Sequence, residues 1–302
     1  MFLAASAGVS ALGTAPAAIR GMLLHLSCGA IGIRATQREA IDYAAKYGFD
    51  AVDANIQYLT NLSDGELQSL LDDMEAKKVS WGVAGLAVDF RRDDVSFGET
   101  LAAFPNQVAA LRRAGVRRVT TWISPSSRER PYLQNFRLHS TRLRQAAGIL
   151  DDNGLRLGLE YVGPCTSLVA NRYPFIHTMA ETRELVAEIG QPNVGLAMDS
   201  WHWYTAGDTR DDLLALRAQD VVSVDLNDAP AGIPVEQQID SKRELPAATG
   251  VIDVKTFLAA LEKIGFDGPV RVEPFNEAVR RMPPDQALQA TITSLRKALL
   301  NG

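Results

Sequence analysis

The sequence predicts an α/β fold, a single-domain (β/α)8 TIM barrel, from three features: a recurring helix–glycine–strand unit, eight short apolar runs, and acids where several of those runs end. Gly48, Gly115, Gly154, Gly190 and Gly265 each follow a helical pattern and precede a β-branched run, where a residue of positive φ closes a helix. They recur at one or two times about 35–40 residues, the length of a strand–helix repeat.

Taken in order, the apolar runs place strands at 23–28, 51–55, 79–86, 118–123, 155–161, 194–199, 221–226 and 269–273, with helical patterns between them. Leu67, Leu70, Leu71 and Met74 follow the i, i+3, i+4, i+7 spacing of a helix buried on one face, and Leu185, Val186 and Ile189 follow it in part. Strands that alternate with helices form a parallel sheet covered on its outside, and eight of them favour closure into a barrel. The competing doubly wound sheet would carry a glycine-rich phosphate turn after the first strand, and SCGAIGI at 27–33 does not match one.

The 302 residues are 46% hydrophobic and 22% charged, enough apolar material for one well-filled core. A formal net charge of −5 leaves no excess of Lys and Arg to neutralise a nucleic-acid backbone. Cys28 and Cys165 lack the spacing of a zinc or redox motif and read as unpaired thiols. No stretch reaches the ~18 apolar residues of a membrane span. Residues 1–21, MFLAASAGVSALGTAPAAIRG, are small and apolar like the remnant of an export signal, yet no Lys or Arg precedes the apolar run. They are read as an N-terminal tail to a barrel of residues 22–302, which makes the cytoplasm the expected location; export is the alternative if the tail is a truncated signal.

The active site of such a barrel lies at the C-terminal ends of its strands. There the fifth strand ends in Glu160, the sixth in Asp199, the seventh in Asp225 and the eighth in Glu273, and the second adds Asp53 and Asn55. One acid in that position is as readily a helix N-cap or a turn residue. Four converging on one mouth would repel one another unless a cation sits among them, so one divalent metal is expected. An all-oxygen shell favours Mn²⁺, then Mg²⁺ or Co²⁺, over Zn²⁺.

The runs LGLEYVGP around 158–164, PNVGLAMDSWHWY at 192–204, VSVDLNDAP at 222–230 and GPVRVEPF at 268–275 resemble those of the xylose isomerase-like TIM barrels. This sugar phosphate isomerase/epimerase group includes tagatose 3-epimerase-like enzymes, hydroxypyruvate isomerase and inosose dehydratase. The resemblance spans about residues 22–299. It implies metal ligation by Glu160, Asp199, position 225 and Glu273. Position 225 departs from the commonest pattern, being Asp where a histidine is usual. The Asp-x-x-His spacing of Asp199 and His202 implies that His202 contacts substrate near the metal.

Further candidates for substrate contact are Trp122 as an apolar wall, His177 in the loop before a helix, Asn55, and Arg243. Arg243 lies in a long segment, residues 229–253, that follows the seventh strand and reaches back over the mouth; its forked donors suit hydroxyls or a carboxylate, and a surface salt bridge is the plain alternative. His25 falls inside the first strand, and His139 reads as helix surface.

The resemblance implies isomerisation or epimerisation of a ketose or related carbohydrate through an enediolate, with Glu160 and Glu273 as an acid–base pair on opposite faces of the substrate. A lyase, dehydratase or keto-glycoside-cleaving enzyme would use the same residues, and a sugar-binding barrel without chemistry is the non-enzyme alternative. An abasic-site nuclease, also within the group, needs a histidine-rich zinc site and a basic surface, against four histidines and the net charge of −5. No phosphate cradle is evident near the last strands. Expected partners are a small carbohydrate and, as in related barrels, a second copy of the chain, with neither nucleic acid nor membrane.

Overall fold

The computed structural model describes residues 21–301, so the tail expected over 1–21 lies outside the described residues except for Gly21. Eight parallel strands close a barrel: β1 (Leu23–Leu26), β2 (Ala51–Ala54), β3 (Ser80–Gly85), β4 (Arg118–Trp122), β5 (Arg156–Glu160), β6 (Val194–Asp199), β7 (Val221–Leu226) and β8 (Pro269–Val272). Each pairs with its neighbours in sequence. Closure comes from β1 against β8, with Leu23 opposite Pro269 and His25 opposite Arg271. An open doubly wound sheet is excluded, and all eight predicted strands are present.

Helices α1 (Gln37–Tyr47), α2 (Asp64–Lys77), α3 (Asp94–Arg113), α4 (Tyr132–Asp151), α5 (Met179–Ile189), α6 (Arg210–Leu214), α7 (Val254–Lys263) and α8 (Pro284–Asn301) follow the strands. Capping boxes start four of them, at Thr36 with Glu39, Ser63 with Glu66, Thr178 with Glu181, and Thr209 with Asp212. Each satisfies two orphan backbone donors and is worth about 1 kcal/mol. At the other end Gly48 (φ 76°) and Gly190 (φ 68°) adopt the left-handed geometry that the sequence anticipates. No helix among the described residues is long and apolar enough to cross a membrane.

Shorter helical turns, 56–60, 165–168, 200–206 and 277–280, follow β2, β5, β6 and β8 directly and build the rim of the mouth. The loops after β4 and β5 are joined there by a short antiparallel pair, Ser126–Ser127 with Tyr173–Pro174.

The main core is one apolar cluster between barrel and helices, where Val270 and Val272 of β8 join Leu288, Ile292 and Leu295 of α8. Inside the barrel, small residues make room for larger ones. A Cβ on Gly82 would overlap the ring of His25, and a Cβ on Gly158 would lie 3.0 Å from Val222 Cβ and 3.3 Å from Ala197 Cβ. Both glycines stand on strands, where their lack of a side chain is what the packing requires.

His139 is not on a helix surface. It is 3% exposed on α4, with its ring 5.4 Å from that of Phe90 and 5.0 Å from that of Phe175. It shares the buried stripe of Leu143, Ala146, Ala147 and Leu150, a spacing that reaches back to 139. Its Nδ1 meets the Asn135 carbonyl at 2.9 Å and its Nε2 has no partner. Burial, with Arg91, Arg130 and Arg142 nearby, pushes its pKa down to about 4. The unfolded chain takes up this proton near pH 6.5 while the folded one resists until about pH 4, so stability falls as pH drops through that window. Between pH 7 and pH 4.5 the stability of His139→Phe should gain on the parent by about 2–3 kcal/mol. Paired denaturant titrations would show it, since other groups cancel in the difference; a constant gap would contradict a neutral buried imidazole.

Candidate active site

Four acids meet at the mouth. Glu160 and Asp199 are the last residues of β5 and β6, Asp225 is next to last in β7, and Glu273 follows β8 directly. One oxygen from each lies within 4.8 Å of the others. Barrel register sets this, for Asp199 is directly opposite Asp225 and Asp225 directly opposite Arg271. Asp199 and Asp225 are buried, and the side chains of Glu160 and Glu273 are 13% and 18% exposed.

Asp199 also performs the plain role open to a strand-end acid. Its Oδ1 accepts from the Trp201 amide at 2.7 Å and caps the turn 200–206. The Asn227 side-chain Nδ2 donates to both of its oxygens at 3.0 and 3.2 Å, while Asn227 Oδ1 accepts the Glu273 backbone amide at 3.1 Å. Asn227 thus fixes two of the four acids at once.

Two buried arginines supply positive charge. Arg243 Nη1 lies 2.7 Å from Asp199 Oδ2 and 3.5 Å from Glu273 Oε2, and its Nη2 lies 2.8 Å from Asp240. Arg243 is therefore no surface ion pair. Arg271 forks onto Asp225, Nε to Oδ1 and Nη2 to Oδ2 at 3.0 Å, and approaches Glu273 at 3.5 Å.

Four carboxylates against two guanidiniums leave two negative charges in excess. The acids that feel this hold protons more tightly than usual. Burial, and then Glu273, Asp225 and Asp199, pushes Glu160 well above the carboxylate range. Burial raises Asp199 to about 6 despite Arg243, and Glu273 to about 7 despite Arg271. Glu160 Oε1 is buried without a hydrogen-bond partner. An unsatisfied oxygen inside an all-oxygen cluster two charges short of neutrality fits a divalent cation in both sign and donor type.

His202 is 2% exposed, and its Nδ1 accepts the Gly163 amide at 3.1 Å. Its Nε2 lies 3.2 Å from Arg243 Nη2, a second donor, and 3.7 Å from Glu160 Oε1. Burial and Arg243 hold its pKa well below the usual value, so it remains neutral. A cavity of about 510 Å³ opens above these groups, lined by Trp122, Glu160, His202, Arg243, Glu273 and Phe275 among others. Trp122 is 48% exposed, with Arg91 stacked 4.2 Å from its ring centre.

A family model of xylose isomerase-like TIM barrels matches residues 41–298. The chain belongs to that family. Inosose isomerase of Bacillus velezensis is 23% identical over 261 residues, which cover 83% of this chain and 88% of that one. A xylose isomerase domain protein from Alicyclobacillus acidocaldarius superposes with a TM-score of 0.81 at 30% identity, covering 93% of this chain and 99% of that one. The IOLI protein, solved with a bound zinc atom, gives 0.77 at 21% identity over the same shares.

Two expected contacts of this xylose isomerase-like barrel are not brought to the cavity. Asn55 caps the turn 56–60, its Oδ1 accepting from the Tyr58 amide at 3.0 Å, and His177 pairs with Glu181 at 3.0 Å where α5 begins. Both stand just past a strand or before a helix, where capping competes with function. Arg271 and Asn227 were not anticipated, although each stands two residues from a strand-end acid and so shares its face. Ser124, Ser126, Ser167 and Asn171 form the far wall of the cavity, and no motif marks them.

The raised carboxyl pKa values give a stability prediction for the protein freed of metal. A folded state that keeps its proton until about pH 7, when the unfolded chain releases it near 4.5, loses stability as pH rises through that interval. Glu273→Gln should therefore stabilise the chelated protein at pH 7.5 by on the order of 2 kcal/mol and change it little at pH 4.5. Thermal melts in chelator at the two pH values decide this; equal effects at both would count against a crowded anionic cluster.

Proposed function

We propose that this protein is a metal-dependent isomerase or epimerase of a ketose or related carbohydrate, with Glu160 and Glu273 as its acid–base pair. One observation carries the reading: two glutamates from β5 and β8 face a single cavity from different sides, and burial beside other acids raises both above the usual carboxylate range. A general base or acid works best when its pKa lies near the working pH. The inosose isomerase likeness, over most of both chains, supports the same class.

Glu160, Asp199 and Glu273 hold the metal, and their oxygen-only donor set favours Mn²⁺ over softer ions. The zinc of the IOLI protein makes Zn²⁺ the ion to test beside it. Bound there, the ion supplies Lewis acidity to the substrate carbonyl and a neighbouring hydroxyl. Trp122 offers an aromatic wall to the C–H face of the substrate, which is held against it within the cavity. His202, held between the Gly163 amide and Arg243, lines the cavity beside Glu160 and contacts the substrate there. One glutamate takes the proton from the carbon beside the carbonyl, leaving an enediolate. The other returns a proton to the opposite face, which inverts that carbon, or to the adjacent carbon, which moves the carbonyl. Arg243 balances charge beside Glu273 and Asp199.

Incubation of the Mn²⁺ and Zn²⁺ forms with a panel of ketoses and inososes in deuterated water tests this, with product and label position read by NMR. One solvent deuteron should enter at the reacting carbon with no loss of substrate atoms. Glu160→Gln and Glu273→Gln should each lower kcat by roughly 10²–10⁴-fold. Release of water or an aglycone would replace isomerisation by elimination, and unchanged turnover in either variant would remove the acid–base pair.

A further inference from the structure

We propose that Arg271 withdraws Asp225 from the metal, so that the ion is bound by the three carboxylates Glu160, Asp199 and Glu273 and never by Asp225. This rests on the metal reading above and concerns how this chain builds the site. Of the four acids, Asp225 alone has both oxygens taken by one cation, through Nε and Nη2 of Arg271. A forked guanidinium is the strongest hydrogen-bonded partner a carboxylate finds in a protein.

The pair is fixed by the barrel. Arg271 on β8 stands directly opposite Asp225 on β7 and directly opposite His25 on β1, so it is wedged between adjoining strands. Its Nη1 lies 3.8 Å from Asp53 Oδ1, and Asp53 is in turn 2.9 Å from His25 Nε2. Freeing Asp225 would leave Arg271 only its longer contacts, 3.5 Å to Glu273 and 3.8 Å to Asp53, in place of a forked pair.

Asp199 differs in the kind of partner it has. The Trp201 amide and the Asn227 amide orient it without cancelling its charge, as supporting groups do for a metal ligand. Its one cation, Arg243, arrives from the loop after β7 and divides itself between Asp199, Asp240 and Glu273.

Three protein ligands would leave room on the ion for substrate oxygens, which a fourth would reduce.

Mn²⁺ titration followed by calorimetry, with the Mn²⁺ EPR spectrum as a second readout, separates the outcomes. Asp225→Asn should bind Mn²⁺ within about fivefold of the parent with an unchanged spectrum, whereas Asp199→Asn should weaken it roughly a hundredfold or more. Arg271→Met, which releases Asp225, should tighten binding about tenfold and alter the spectrum. Because Asp225→Asn removes the forked partner of Arg271, the double variant Asp225→Asn/Arg271→Met provides a neutral pair, and it too should bind as the parent does. Loss of binding in a folded Asp225→Asn or double variant, comparable with the loss in Asp199→Asn, overturns the inference. No binding of Mn²⁺ or Zn²⁺ by the parent would instead overturn the metal reading beneath it.

Discussion

Everything at the mouth follows from one constraint, that four carboxylates share a space in which their nearest oxygens lie within 4.8 Å. At an effective dielectric near 20, a pair at that distance repels by roughly 3 kcal/mol, so six such pairs would exceed the ~5–15 kcal/mol by which a domain is normally stable. The chain answers in two ways. Arg243 and Arg271 remove half the charge, and the raised pKa values of Glu160, Asp199 and Glu273 are the part left over. A site that keeps protons on its acids when empty releases them to a cation, so the cost of assembling the cluster becomes affinity for an ion.

Barrel register converts that cluster from a coincidence into a row. Asp199, Asp225, Arg271 and His25 are direct neighbours across β6, β7, β8 and β1, one residue from each strand at the same height. Within the row Arg271 stands between an acid, Asp225, and a histidine, His25. Beneath and beside it the glycines matter, because His25 occupies the space over Gly82 and Val222 presses on Gly158. Beyond the row the chain turns sharply. Phe275 takes a positive φ of 40°, a conformation costing about 1–2 kcal/mol, and its ring is held 4.6 Å from the Arg243 guanidinium. The loop after β7 that delivers Arg243 is itself tied down: Asp228 accepts the amides of Ala229, Thr249, Gly250 and Ile252.

The fold was legible because strand–helix alternation is a local signal repeated eight times, and the positive φ at Gly48, Gly115, Gly154, Gly190 and Gly265 bears out the punctuation. The acids were legible because a charge ending an apolar strand is conspicuous. Arg271 has the same signature in V-R-V-E, two residues before Glu273, yet a single cation in a strand reads as an exposed position until closure shows that the face points inward. His139 misled for the opposite reason, since polarity outweighed a spacing that placed it on the buried stripe of α4. Asn55 and His177 show the limit of proximity: lying near the mouth in sequence does not aim a side chain into it when a helix start claims that side chain first. The serine-lined wall depends on an antiparallel pairing between two loops, which no local pattern encodes.

The Asp-x-x-His spacing of Asp199 and His202 has a structural cause in this chain. Asp199 is the N-cap of the turn 200–206, and a residue three further on lies at the end of the first turn, back over the cap. The imidazole is thereby returned to within 3.9 Å of the carboxylate that starts the helix. Gly163 completes the arrangement from β5's side: its amide occupies Nδ1, and any larger residue there would collide with the His202 carbonyl. One cap therefore orients an acid and brings a histidine beside it, where the ring is held between the Gly163 amide and Arg243. Moving either residue by one position would break the cap or rotate the ring about 100° around the helix, so the spacing is set by helix geometry before any chemistry selects it.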